Sequence, residues 1–137
     1  MYFFIYKTTN TITGEYYLGK HQTKNLNDGY LGSGIVLKNK IKKYGKEAFI
    51  REILYFCEDE ESLNALEQVI VNEEIVIDKN SYNLTTGGKG GCIALFKENP
   101  KYESIIEKFR IRRQADRSKY QQRALERHKN PLLKFIS

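Results

Sequence analysis

Two aromatic-rich runs flank a short polar loop at the start of the chain. Residues 2–7, "YFFIYK", are aromatic and β-branched and predict a strand. Residues 15–19, "EYYLG", predict the return strand, with Asn10 and Gly14 in the turn between them. The pair reads as an antiparallel hairpin. Residues 21–34, "HQTKNLNDGYLGSG", lose the alternation and predict a loop, with Ser33 capping the next helix. Residues 35–44 then predict a helix, with Ile35, Leu37, Ile41 and Tyr44 available for the core, and Gly45 ends that helix. Residues 48–56, "AFIREILYF", predict a third strand. Asp59 or Ser62 opens a second helix, with Leu63, Leu66, Ile70 and Ile77 at helical spacing and acids in its first turn.

The order β-β-α-β-α predicts an α/β domain: a small three-stranded antiparallel sheet flanked by helices. "KNSYNLTTGGKGG" returns to loop, and its glycines mark the domain boundary. The expected division is 1–86 for the domain, 87–96 for a glycine-rich linker and 97–137 for a basic helical extension. Asn99 and Pro100 start that last helix. Tyr102, Ile105, Ile106 and Phe109 form an apolar stripe along its first half, which then fades. The apolar end, with Leu132, Leu133, Phe135 and Ile136, permits either a monomer or a weak dimer.

Charge sharpens this division. The chain carries +6, but residues 97–137 hold twelve Lys and Arg against five Asp and Glu, a net +7. The remainder is close to neutral. Such asymmetry points to a polyanionic partner, nucleic acid first, with a solubilising tail as the bland alternative. Arg110, Arg112, Arg113, Arg117, Lys119, Arg123 and Arg127 are the candidate phosphate contacts. No apolar run is long enough to span a membrane, and the N-terminus does not read as a secretory signal. The expected location is therefore the cytoplasm. Cys57 and Cys92 lack metal-ligand spacing and read as ordinary thiols.

The hairpin holds the candidate chemistry. Phe4 and Tyr6 share one strand face, as do Tyr17 and Gly19. Tyr6 and Tyr17 are expected as cross-strand neighbours. Lys20 is expected just past the strand end, with its amine at the same site. Gly19 permits close approach there.

"FIY", residues 4–6, and "YLG", residues 17–19, resemble the paired motifs of the GIY-YIG nuclease superfamily. Phe4 replaces the first glycine, and Leu18 replaces an isoleucine. The continuation "YLGKHQT…DGYLGSG…LKNKIKKYG" is similar to the branch of free-standing phage homing endonucleases of the Seg type. The likeness covers roughly residues 2–90. It implies a DNA endonuclease that hydrolyses phosphodiesters with one divalent metal, Mg²⁺ or Mn²⁺.

By that resemblance Glu67, in "LNALEQVIV", is the metal ligand; by itself it reads as a surface acid on a helix edge. Asn83 matches an asparagine that closes the domain, and reads equally well as a turn residue. Lys20 matches a lysine after the second motif. Tyr6 would orient the attacking water and accept its proton, helped by Lys20 and the metal, with His21 as a second candidate base. Tyr17 would hydrogen-bond the phosphate, and Tyr30 stands nearest to a further family position.

One departure matters: the family's arginine after the second motif has no counterpart between Gly19 and Arg51. His21 and Lys24 are the available phosphate binders. The identity of the general base stays open, with His21 balanced between a structural and a functional role. The missing arginine also keeps alive a reading from another class, a catalytically inactive nucleic-acid-binding module that retains the fold. A basic structural protein is the third reading, and it leaves the motif order unexplained.

Overall fold

The computed structural model describes residues 1–88, 100–112 and 115. Three strands form one antiparallel sheet: β1 (Tyr2–Asn10), β2 (Tyr16–Thr23) and β3 (Phe49–Cys57), in the order β2-β1-β3. Helix α1 (Ile35–Tyr44) and a 3-10 turn (Lys46–Ala48) precede β3, and α2 (Glu60–Ile70) and α3 (Glu73–Ile77) follow it. Residues 102–112 form a further helical stretch, α4.

β1 is central, and its first half, residues 2–6, is apolar or aromatic on both faces. Phe4, Ile5 and Tyr6 are essentially inaccessible to solvent. Ile5 belongs to a core with Leu18, Leu63, Leu66 and Ile70, so α2 covers that face of the sheet. Ile105 and Ile106 of α4 are buried in the same core, with Tyr102 and Phe109 against it. The stripe expected on the last helix is therefore the face that packs on the sheet. Arg112 of α4 also pairs with Glu52 of β3.

The opposite face carries Tyr6 and Thr8. Leu37, Ala48, Phe49 and Tyr82 close one end of it as a second core. Across β1 and β3 the register slips between Ile5 and Tyr6: Ile5 pairs with Tyr55, but Tyr6 with Ile53. Leu54 is the extra residue, a bulge that sends both Leu54 and Tyr55 toward the first core.

Local signals account for the element ends. Asp59 accepts a hydrogen bond from Ser62 N at 2.8 Å, and Glu60 and Glu61 sit at the positive end of the α2 dipole. Gly45 has φ +90°, a region costly for other residues, and its N–H caps Ile41 O.

Four expectations are corrected. Ile35 is not a core residue: it opens α1 on the side away from the buried Leu37 and is 65% exposed. Ser33 does not cap α1; Gly34 occupies that position without a side-chain cap. Ile77 is not a core residue: α2 ends at Ile70, the chain turns at Val71 and Asn72, and Ile77 is 80% exposed. The return strand runs to Thr23 rather than Gly19, because β1 offers backbone partners along its whole length. Lys20 and His21 thus lie inside β2, on opposite faces.

β2 would be an open edge, but residues 80–83 run beside it. Tyr16 N donates to Asn80 O at 2.9 Å, and Tyr82 N donates to Tyr16 O at 2.7 Å. That segment covers part of the edge and carries the chain back to α2.

Candidate active site

Tyr6 and Tyr17 meet over Gly19. Tyr6 pairs with Gly19 and Tyr17 with Thr8, so the tyrosines are diagonal rather than opposite, with ring centroids 6.3 Å apart. Gly19 is required by packing. A Cβ there would lie 2.7 Å from the Tyr6 hydroxyl and 3.0 Å from the Tyr17 ring. What comes close to Gly19 is thus the Tyr6 phenol itself.

The loop after β2 folds back over the same face. Gly34 lies against Tyr17, where a Cβ would sit 2.7 Å from the ring. Tyr30 packs edge-on against Tyr6 at 5.9 Å and stacks flat on His21 at 3.9 Å. Four residues of the expected constellation, Tyr6, Tyr17, His21 and Tyr30, are therefore brought together. Phe4 lies edge-on to His21 at 5.6 Å.

Burial sets the chemistry of the phenols. The Tyr6 hydroxyl is pushed far above the ordinary tyrosine range, first by desolvation and then by the neighbouring phenols of Tyr30 and Tyr17. Tyr17 is raised too, again mainly by burial, while a hydrogen bond with Ser33 opposes the shift. Burial thus favours the protonated form of both phenols near neutrality. The Glu67 carboxylate raises both phenols further, so it lies within electrostatic reach of each.

Glu67 sits on α2 beside the covered edge of β2. It lines a pocket of about 390 Å³ with Tyr17, Tyr82, Asn83, Thr85 and Thr86. One carboxylate oxygen accepts from Gly88 N at 2.9 Å. Gly87 packs on the α2 backbone, where a Cβ would stand 2.4 Å from Glu67 O. Small residues in "TTGG" thus let the chain pass close to this acid.

Asn83 has a backbone task. Its Oδ1 accepts from Leu18 N at 3.0 Å and its Nδ2 donates to Leu18 O at 2.7 Å. The side-chain amide pairs with β2 as a neighbouring strand would, between Tyr17 and Gly19.

Lys20 is not on the tyrosine face. It pairs with Ile5, points toward α2 and donates to Asn64 Oδ1. Asn64 and Glu67 are three residues apart and share one side of α2. The amine is thus held on the α2 side of the sheet and does not stand over Tyr6. Lys24 is exposed in the loop. Arg110 is exposed and pairs with Glu107 at 3.6 Å. Arg113, Arg117, Lys119, Arg123 and Arg127 lie outside the described residues, as does most of the 87–96 linker.

Two residues that the sequence does not single out also belong to this face. Asp28 accepts a hydrogen bond from Tyr30 N at 3.0 Å and contacts His21 Nε2 at 2.7 Å. Arg51 reaches from β3 into the loop and donates to Asp28 Oδ1, Tyr30 O and Leu26 O. Asp28 has a local signature, an acid before Gly29 in a turn. Arg51 has none, since β3 meets the loop only after folding.

The chain is similar to proteins of Enterobacteria phage T4. It is 41% identical to "Putative endonuclease segD" over 106 residues, 77% of this chain and 48% of that relative. It is 48% identical to "Putative endonuclease segC" over 90 residues, 66% of this chain and 46% of that protein. It is 43% identical to "Endonuclease segA" over 90 residues, 66% of this chain and 41% of that protein. The chain thus spans somewhat less than half the length of each of these relatives. No family model matches the chain, and no solved structure matches it.

Proposed function

We propose that the protein is a divalent-metal-dependent DNA endonuclease of the GIY-YIG type, serving a phage or mobile element as a homing nuclease. The relatives named as phage endonucleases support this reading. The observation that carries it is the pocket that a carboxylate, Glu67, shares with Tyr17 at the covered edge of β2, with the Tyr6 ring 6.3 Å from that of Tyr17.

The donor set fits Mg²⁺ or Mn²⁺. Mg²⁺ is held through one or two carboxylates, with substrate phosphate and water completing its shell. Glu67 lines a pocket with the residues Tyr17, Thr85 and Thr86, and a single carboxylate there would leave most of the shell to phosphate and water. Glu67 would hold the ion, which when bound would offset charge developing on the phosphate oxygens.

The chain's own groups supply the rest. Tyr17 and Tyr6 donate hydrogen bonds to a phosphate oxygen or to the attacking water. Deep burial keeps Tyr6 protonated, which counts against the proton-accepting role expected for it. Asn83 holds Tyr17 and Gly19 in place through the Leu18 backbone. The basic C-terminal extension supplies phosphate contacts and hence salt-dependent affinity for DNA.

The test is plasmid nicking with Mg²⁺, with and without EDTA, beside Glu67→Ala. Removing one electrostatic partner of this kind costs about 10²–10³ in rate. A Glu67→Ala protein that keeps its fold should cut at least that much more slowly, and EDTA should stop the intact protein. Substantial cutting by the variant removes Glu67 from the metal assignment. The second reading, an inactive DNA-binding module, has one specific support: the family arginine is missing after the second motif, and the guanidinium of Arg51 is already bonded to Asp28, Tyr30 O and Leu26 O. Tight DNA binding without cutting under any metal favours it.

A further inference from the structure

The base that activates the water has no obvious identity once Tyr6 is seen to be buried. The surroundings of His21 supply a candidate. Its ring is held from every side: stacked on Tyr30, edge-on to Phe4 at 5.6 Å and edge-on to Tyr6 at 6.4 Å with an interplanar angle of 84°. Its Nε2 meets Asp28 Oδ2 at 2.7 Å. A carboxylate in that position accepts a proton from Nε2 and leaves the lone pair on Nδ1. No described residue is seen to bond Nδ1, and the His21 side chain keeps 18% of its surface open.

Asp28 is itself anchored. Its other oxygen, Oδ1, accepts from Tyr30 N and from Arg51 Nη1, each at 3.0 Å. The Arg51 guanidinium lies 5.2 Å over the Phe4 ring and holds two loop carbonyls at 2.9 and 2.7 Å. The Asp28 carboxyl is held well below the usual range, first by the Tyr30 N–H and next by His21. It is therefore ionised near neutrality. The groups facing His21 are thus Phe4 and Tyr6 from β1, Tyr30 and Asp28 from the loop, and Arg51 from β3 behind Asp28.

We propose that His21 is the general base of the cleavage step and that Asp28, anchored by Arg51, is the positioning residue that sets its tautomer. The inference rests on the nuclease reading. In the step, a water O–H proton passes to Nδ1 and the water oxygen bonds to phosphorus. The bond from phosphorus to the 3′ oxygen breaks, and that oxygen takes a proton from solvent. Asp28 stays ionised beside the imidazolium. The bland alternative is that His21 and Asp28 only pin the loop.

The experiment combines plasmid-cleavage kinetics with nitrogen-15 NMR of the imidazoles, simple here because the chain has two histidines, His21 and His128. Asp28→Asn removes the obligate acceptor at Nε2, Asp28→Glu keeps one, and His21→Gln removes the base. In the intact protein the His21 nitrogen shifts should report the proton on Nε2. Asp28→Asn should lose that tautomer preference and lower kcat with little change in KM. Asp28→Glu should restore both, which guards against simple misfolding of the first variant. His21→Gln should lose about 10²–10⁴ in rate. An unchanged tautomer in a folded, slower Asp28→Asn protein overturns the inference, as does full activity in His21→Gln. In both cases the intact enzyme still cuts, so the nuclease reading stands. If the intact protein cuts nothing at any pH with Mg²⁺ or Mn²⁺, the nuclease reading falls and the base role with it.

Discussion

Gly19 is a single residue whose whole contribution is the space it leaves. The Tyr6 phenol lies where its side chain would be, and Tyr6 cannot retreat, because Phe4, His21 and Tyr30 pack around it. Overpacking of this kind costs about 1–3 kcal/mol. Gly19→Ala is therefore expected to lower the melting temperature and to slow nicking, since the phenol must shift to make room. A melting curve and the nicking assay read the two effects separately. Tyr6→Phe is the complementary change. It keeps the ring packing and removes the hydroxyl, so cleavage should fall while stability changes little. A variant that cuts like the intact protein would show that the hydroxyl does no chemistry.

At the scale of elements, α4 is the informative case. Its sequence mixes an apolar stripe with a basic surface, and the structure spends the stripe on the sheet. Ile105 is 4% exposed, in one core with Leu66 and Ile5. Ile105→Ala should therefore cost about 2–5 kcal/mol, as large-to-small changes in a shared core do. Urea denaturation measures this, and a change near zero would mean that α4 is not part of the cooperative unit. The start of α2 makes a second case. Asp59 keeps its carboxyl below the ordinary range through the Ser62 N–H. Its contribution to stability is thus present above the unfolded pKa and is lost as acid protonates it. Asp59→Ala should remove that part of the acid sensitivity.

For the whole molecule, alkaline pH is a probe of the buried phenols. Burial pushes Tyr82 up to about 12, and Tyr6 is raised as well. An unfolded tyrosine titrates near 10. Between those values the unfolded chain has lost protons that the folded chain keeps. Stability from these groups is complete below pH 10 and falls as pH rises toward 12. Denaturation across that window should show the decline, and Tyr82→Phe should make it shallower. The basic extension is a second whole-molecule property. Deleting residues 97–137 would strip Ile105 and Ile106 from the core, so substitution is the cleaner test. Replacing Arg113, Arg117, Lys119, Arg123 and Arg127 with Ala should weaken DNA binding. The slope of log K against log salt should shrink by about 0.9 for each phosphate that the variant no longer neutralises. An unchanged slope would assign the extension another task.

The order of the strands and of α1 and α2, the hairpin with its tyrosines, a polar cap for α2 at Asp59 or Ser62 and the apolar stripe on α4 were legible in the chain, because each depends on spacing or on neighbours a few residues away. The same holds for Gly45, whose backbone conformation is local. The break that separates α3 from α2 was not legible. Folding decided the rest. Lys20 faces α2 instead of Tyr6 because β2 runs past Gly19, and one further residue of strand reverses a side chain. Asn83 reads as a turn residue until β2 lies beside it, and then its amide completes the strand's edge. Arg51 and Asp28 are separated by 23 positions. Their meeting, which fixes His21, depends on how β3 and the loop stack over one face of the sheet. Spacing along a chain carries information about helices and strands, but contacts between distant segments follow from packing, and this candidate site is built mostly from such contacts.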